Sequence, residues 1–166
     1  MAYRVCFVCF VCTGNTCRSP MAEHVFRRRV EEAGLGAVVR VESAGTQGWN
    51  ENAAADPRTV AVLDGNGYTS AHTARRFRAS WFADLDLVIA LDEGHLRRLR
   101  ELARTPEEAA RTRLLRSYDP AAGDALDVPD PFYGGRSEYE ECLKTVEAAS
   151  GGLLAAVRHA LEERTP

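Results

Sequence analysis

The stretch that most constrains this chain is Cys12-Thr13-Gly14-Asn15-Thr16-Cys17-Arg18-Ser19-Pro20. It follows an apolar run and precedes a helical pattern. Five residues separate Cys12 from Arg18, enough for a tight loop whose backbone N–H groups turn inward. Gly14 takes positive φ without steric cost, and Asn15 is among the few other residues that tolerate it. Ser19 suits an N-cap and Pro20 a first helical position, so a helix is expected to open where the loop ends. A helix N-terminus carries roughly half a positive charge, which adds to the fixed charge of Arg18. Together they favour a phosphate dianion in the loop and an anionic sulfur at Cys12.

The pattern around this loop is that of an α/β domain. Residues 4–11 form a continuous β-branched and aromatic run, as in a strand buried on both faces of a parallel sheet. Cys-Phe-Val occurs twice in it, at 6–8 and 9–11, making overlapping C-x-x-C spacings with Cys12. Side chains three apart on a strand point to opposite faces, so Cys6 and Cys9 are read as buried structural thiols, not a metal or redox pair. Met21, Ala22, Val25, Phe26, Val30 and Ala33 recur at helical spacing up to Gly34. A second strand is expected from Val38 to Val41, ending in a turn at Ser43-Ala44-Gly45-Thr46. Strand, loop, helix and strand in this order make a βαβ unit with the anion loop in its first turn, the usual place for ligands in open α/β sheets.

Further elements follow at short intervals. A helix is expected from Asp56-Pro57 to Gly65, a short one over 79–84, a buried strand from Leu85 to Leu91, and a helix capped by Asp92. Another short helix begins at Pro106, and Arg113–Leu115 reads as the fourth strand. Residues 119–135 carry prolines, aspartates and two terminal glycines, a long loop of the sort that is usually functional. Ser137 and Glu140 read as the capping box of a last helix, with a kink at Gly151-Gly152.

Length and charge narrow the function classes. At 166 residues the chain is read as one domain over 1–166, able to bury a core without disulfides or metals. A net charge of −3 gives no nucleic-acid footprint. No stretch reaches the roughly 20 apolar residues of a membrane span. Five cysteines, an odd number, argue for a reducing compartment, so the cytoplasm is the expected location.

The loop is not a nucleotide-type phosphate loop, since it lacks the G-K-[ST] ending. The chemistry it suits is in-line attack of Cys12 on phosphorus, giving a cysteinyl-phosphate that water then hydrolyses. Arg18 can hold two equatorial oxygens, while backbone N–H groups over 13–18 supply the other donors. Ser19 can donate a hydrogen bond to the Cys12 sulfur. Departure of the leaving oxygen calls for a general acid. Asp130 is the leading candidate, with Asp127 and Asp119 as competitors. Phe132 and Tyr133 can wall an aromatic leaving group, and Trp49, isolated in a polar loop, is read as flanking the site. His72 carries no functional reading on residue type alone.

The loop from Cys12 to Ser19, Ser43-Ala44-Gly45-Thr46, and the late Asp130-Pro131-Phe132-Tyr133 together resemble the low-molecular-weight protein tyrosine phosphatases. The likeness covers essentially the whole chain in length and motif order. It implies a three-layer sandwich, a four-stranded parallel sheet with helices on both faces and the phosphate loop after the first strand. It also implies catalysis without metal or cofactor and phosphotyrosine-containing protein substrates; inhibition by phosphate-like oxyanions is expected, and a monomer is the default. By the same likeness Cys12 is the nucleophile, Arg18 the phosphate binder and Asp130 the general acid, then base. Asn15, Ser19, Ser43 and His72 match positions that support the loop, and Cys17 matches a second cysteine that can form a protective disulfide with the nucleophile.

Thr16 departs from this pattern, because the tyrosine-directed members typically carry a branched apolar residue there. The spelling Cys-Thr-Gly-Asn-Thr-Cys-Arg-Ser is similar to that of protein-arginine phosphatases, so that activity is the alternative. Phe132-Tyr133 and Trp49 favour phosphotyrosine. Arsenate reductases of this fold need further cysteines in mid-chain, and none lies between Cys17 and Cys142. A non-catalytic phosphate-binding module is disfavoured because both the nucleophile and the acid are present.

Overall fold

The computed structural model describes residues 5–163. Its centre is a four-stranded, all-parallel sheet in the order β2-β1-β3-β4. The strands are β1 (Cys6–Cys12), β2 (Val39–Gly45), β3 (Leu87–Ala90) and β4 (Thr112–Leu114). The helices are α1 (Arg18–Glu32), α2 (Pro57–Gly65), α3 (Glu93–Leu102), α4 (Pro106–Ala110) and α5 (Arg136–Glu163). Short 3-10 turns lie at Ala79–Ala83 and Leu115–Tyr118. Arg4, the expected first residue of the opening strand, lies outside the described residues.

The alternation of β1 builds two cores. Cys6, Val8, Phe10 and Cys12 face α1, α2 and α5, packing with Phe26, Leu63, Leu143 and Leu153. Cys9 and Val11 face the other way, with Phe77, Phe82, Val88 and Leu99. Cys6 and Cys9 therefore sit in separate cores, as a strand period of two requires. Each large apolar side chain so enclosed contributes roughly 1.5–3 kcal/mol relative to exposure. Among the described residues no helix is long and apolar enough to cross a membrane.

Several local expectations are corrected. β2 does not end at Val41: Ser43, Ala44 and Gly45 remain paired with Phe10, Val11 and Cys12, so the polar stretch is the sheet's edge beside the loop. Apolar composition missed this, because Ser43 and Gly45 bring no apolar side chain and only Ala44 packs in the core. The N-cap of α1 is Cys17, with no side-chain cap bond, and Ser19 lies within the helix with its hydroxyl turned to Cys12. β3 and β4 are shifted or shorter than their apolar runs, whose outer residues pack beyond the ladder. At the start of α5 it is Glu138, not Glu140, that accepts from the Gly135 N–H, at 2.8 Å, while Glu140 pairs with Arg136. α5 continues unbroken through Gly151-Gly152. Gly152 is there because a Cβ would come within 2.0 Å of the Tyr118 carbonyl oxygen.

β1 has β2 on one side and β3 on the other, so the chain's winding reverses across it. The crevice at the carboxyl ends of β1 and β3 is where such a sheet places a ligand. Cys12 ends the first of these strands, and Asp92 follows the other.

Candidate active site

The loop after β1 is shaped by Asn15. This fully buried residue has φ of 57°, so the left-handed turn falls on it rather than on Gly14. Gly14 instead makes room for a neighbour, since a Cβ there would meet Asn50 Nδ2 at 2.7 Å. The Asn15 side chain uses every polar hydrogen it has. Its Nδ2 donates to Ser19 Oγ at 2.8 Å and to Ser43 Oγ at 2.9 Å, and its Oδ1 accepts from the Arg75 N–H at 2.9 Å. The Arg75 contact fixes which end of the amide is oxygen. The Asn15 carbonyl accepts from His72 Nε2 at 2.7 Å, and Ser43 passes its own hydrogen to Glu23 Oε1. Burial lowers the pKa of His72 below that of an ordinary imidazole, which keeps it neutral with its proton on Nε2.

The position of Cys12 follows from this network. Cys12 is nearly buried, with Sγ 2.9 Å from Ser19 Oγ. Because Ser19 Oγ already accepts from Asn15, its own hydrogen is available to the sulfur.

Arg18 is held from behind. Its Nη1 donates to Asp92 Oδ2 and to the Val128 carbonyl, each at 2.9 Å. Its Nη2 lies 3.5 Å from His95 Nε2 and 3.6 Å from Asp130 Oδ2. Both hydrogens of Nη1 are thereby used, leaving the Nε and Nη2 edge for a ligand. His95 Nε2 also lies 2.8 Å from Thr13 Oγ1. His95 Nδ1 stands 3.2 Å from Asp92 Oδ1 but out of line for a hydrogen bond. Burial lowers the His95 pKa to about 4, so the ring is neutral and can accept at Nε2. Burial alone would raise the Asp92 carboxyl; the His95 backbone N–H and the charge of Arg18 outweigh it and hold it below the usual range.

Cys12, Thr13, Gly14, Thr16, Cys17 and Arg18 line one cavity of about 210 Å³, closed by Asp130 opposite. Trp49, Asn50, Phe132 and Tyr133 complete its wall. All three aromatics are exposed, Tyr133 at 92% and Trp49 at 77%, with Phe132 edge-on to Tyr133 at 5.0 Å. Asn15, Ser19, Ser43 and His72 stay behind the loop and do not line the cavity. Cys17 turns its sulfur toward Tyr139 Oη at 3.4 Å, and burial pushes its thiol up.

The three candidate acids are separated by what they bind. Asp127 accepts from the Glu93 N–H at the start of α3, and Asp119 from Ala121 N–H in its own turn. Only Asp130 of the three lines the cavity, its Oδ1 steadied by the Phe132 N–H at 3.1 Å.

A family model described as low molecular weight phosphotyrosine protein phosphatase matches residues 7–163. The chain belongs to this family. A low molecular weight protein-tyrosine-phosphatase of Streptomyces coelicolor is 67% identical over 165 residues, covering 99% of each chain. Low molecular weight protein-tyrosine phosphatase A of Mycobacterium tuberculosis is 47% identical over 160 residues, covering 96% of each. Among solved structures, a protein tyrosine phosphatase of Entamoeba histolytica with Hepes in its active site superposes with TM-score 0.89 at 26% identity, over 93% of this chain and 98% of that one. A Drosophila arginine phosphatase superposes with TM-score 0.83 at 30% identity, over 90% and 96%.

Sequence reasoning missed Asp92 and His95 behind Arg18, Glu23 behind Ser43, and Asn50 beside Gly14. Asp92 had a signal beyond its helix cap, because it directly follows a buried strand at the ligand-binding edge of the sheet. The others had none, since each reaches the site from a helix face or a polar loop.

Proposed function

We propose that the protein is a metal-independent phosphatase that hydrolyses phosphotyrosine in proteins, and small aryl phosphates, through a cysteinyl-phosphate. The observation that carries this reading is one cavity bearing Cys12, Arg18 and Asp130 and walled by Trp49, Phe132 and Tyr133. The phosphate sits against the N–H groups of residues 13–18, with the Nε and Nη2 edge of Arg18 on two of its oxygens. The Cys12 thiolate attacks phosphorus in line as the P–O bond to the leaving phenol breaks, and Asp130 gives that oxygen its proton. In the second step the Asp130 carboxylate takes a proton from water, whose oxygen attacks phosphorus. Cys12 leaves as thiolate, steadied by the Ser19 hydroxyl. Free phosphate, vanadate and similar oxyanions compete for the same cradle.

Oxidation has a route in the same loop. Peroxide converts Cys12 to a sulfenic acid, and the Cys17 thiol displaces water to close a disulfide that a thiol reductant reopens. The odd number of cysteines, five, supports a reducing location, taken as the cytoplasm, and the reading needs only a monomer.

Phosphoarginine is the second reading. Thr16 carries a hydroxyl in the cavity wall, where it can hydrogen-bond a P–N substrate or the attacking water. The deciding experiment is hydrolysis of matched phosphotyrosine and phosphoarginine peptides, with Cys12→Ser as blank. Preference for phosphotyrosine means the aromatic wall governs selection. Preference for phosphoarginine overturns the first reading in favour of Thr16.

A further inference from the structure

One charged group beside the cavity has no part in the steps above, yet it joins the two loops that must meet in them. Arg58, at the start of α2, forks onto Asp56: its Nε lies 3.0 Å from Asp56 Oδ1 and its Nη2 3.0 Å from Oδ2. Asp56 is the N-cap of α2, accepting from the Arg58 N–H at 2.8 Å. The Asp56 backbone N–H in turn donates to the Thr16 carbonyl, at 2.8 Å, in the middle of the phosphate loop. Arg58 charge and hydrogen bonding hold the Asp56 carboxyl below the usual range. On its other side, Arg58 Nη1 donates to the Phe132 carbonyl at 2.9 Å and the Gly134 carbonyl at 3.3 Å. Its guanidinium plane lies over the Phe132 ring at 5.3 Å and the Tyr139 ring at 4.7 Å. Phe132 also supplies the N–H that steadies Asp130 Oδ1.

We infer that Arg58, braced by Asp56, is a positioning residue that straps the loop carrying Asp130 to the loop carrying Cys12 and so sets the aim of the general acid. A planar fork is needed for this. Its ends must bind a carboxylate and two carbonyls at once while its face rests on two rings, which the point charge of lysine cannot do. Residues 119–135 hold little regular structure of their own, so an external tie is what keeps Asp130 across from the nucleophile. The Asn15 network that shapes the Cys12 cradle runs separately, through Ser19, Ser43 and His72.

The inference rests on the reading of Asp130 as general acid, and the test separates the two. kcat/KM is measured for a series of aryl phosphates of rising leaving-group pKa with the wild type, Arg58→Lys, Asp130→Asn and the double variant. Arg58→Lys is expected to lower kcat/KM about 10-fold for phosphotyrosine and less than about 2-fold for the most activated aryl phosphate. Adding it to Asp130→Asn is expected to change nothing further. A loss equal across all leaving groups, or no loss, overturns the strap while Asp130→Asn still steepens the dependence. If Asp130→Asn itself shows no leaving-group dependence, the acid assignment fails first. Arg58→Gln, read in parallel with thermal unfolding, keeps the result independent of folding: a leaving-group effect at unchanged melting temperature supports the strap, and an effect only in unfolded-prone protein overturns it.

Discussion

Asn15 Nδ2 stands 2.8 Å from Ser19 Oγ, and this one contact decides which way the Ser19 hydrogen points. A hydroxyl that accepts from an amide turns its own proton elsewhere, and Cys12 Sγ is 2.9 Å away. The Ala44 carbonyl is the competing acceptor at 3.4 Å, a longer contact. Ser19 therefore serves the sulfur as donor, which in the proposed mechanism matters most when the sulfur leaves phosphorus as an anion. Ser19→Ala is expected to slow the second step by about 10- to 100-fold, the loss of one charge-assisted hydrogen bond. Rapid-quench kinetics should then find cysteinyl-phosphate accumulating. Equal slowing of both steps would contradict the assignment.

The neighbouring aspartates give a contrast within four residues. Asp130→Asn removes the proposed general acid and is expected to lower phosphotyrosine turnover by about 10²- to 10⁴-fold, with little loss of folding stability. Asp127→Ala removes a carboxylate that accepts from the Glu93 N–H at the start of α3. It is expected to cost about 0.5–2 kcal/mol of stability and to leave the leaving-group dependence unchanged. Urea unfolding beside steady-state rates distinguishes the two.

The loop, the place of Cys12 at its base and the parallel sheet were legible because each rests on local sequence: a turn at Asn15, an apolar run, a helix opening at Arg18. What escaped reading is what arrives from a distance. Arg18 is steadied by Asp92 and Val128, which lie 74 and 110 residues along the chain. His95 reaches Thr13 from 82 residues away. Periodicity places such residues on elements but gives no register between elements. Ser19 meets one of its two expectations: the cap falls to Cys17, while its hydroxyl reaches the Cys12 sulfur as its place seven residues on suggested.

Adjacent glycines in α5 should respond with opposite signs. Nothing lies within 4 Å of a Cβ built on Gly151, whereas one on Gly152 meets the Tyr118 carbonyl oxygen at 2.0 Å. Gly151→Ala is expected to stabilise by about 0.5–1 kcal/mol, the helix preference of alanine. At Gly152 the same preference is opposed by backbone that cannot swing aside, and Gly152→Ala is expected to destabilise by about 1–3 kcal/mol. Denaturant midpoints of the two variants decide it; matching signs would mean the 3-10 turn at Tyr118 yields.

His95 gives the fold a pH dependence of predictable direction. Its folded-state pKa is about 4, lowered by burial from the ordinary 6.5, against the opposing pull of Asp92, Asp130 and Asp127. Between those values the unfolded chain holds a proton that the folded chain lacks, so stability rises with pH there and is lost as pH falls from 6.5 toward 4. Fully developed, the contribution is on the order of 3 kcal/mol. Burial shifts His24 and His72 in the same direction, so the slope is shared. His95→Asn is expected to be less stable than wild type at neutral pH, because the Thr13 and Arg18 contacts change. It is also expected to lose less stability on acidification. Urea unfolding at about pH 7 and about pH 4.5 should show the two curves converging, since only the wild type carries the uptake of this proton on unfolding. Parallel curves would mean that His95 already binds its proton in the folded protein, and the neutral ring facing Arg18 would have to be abandoned.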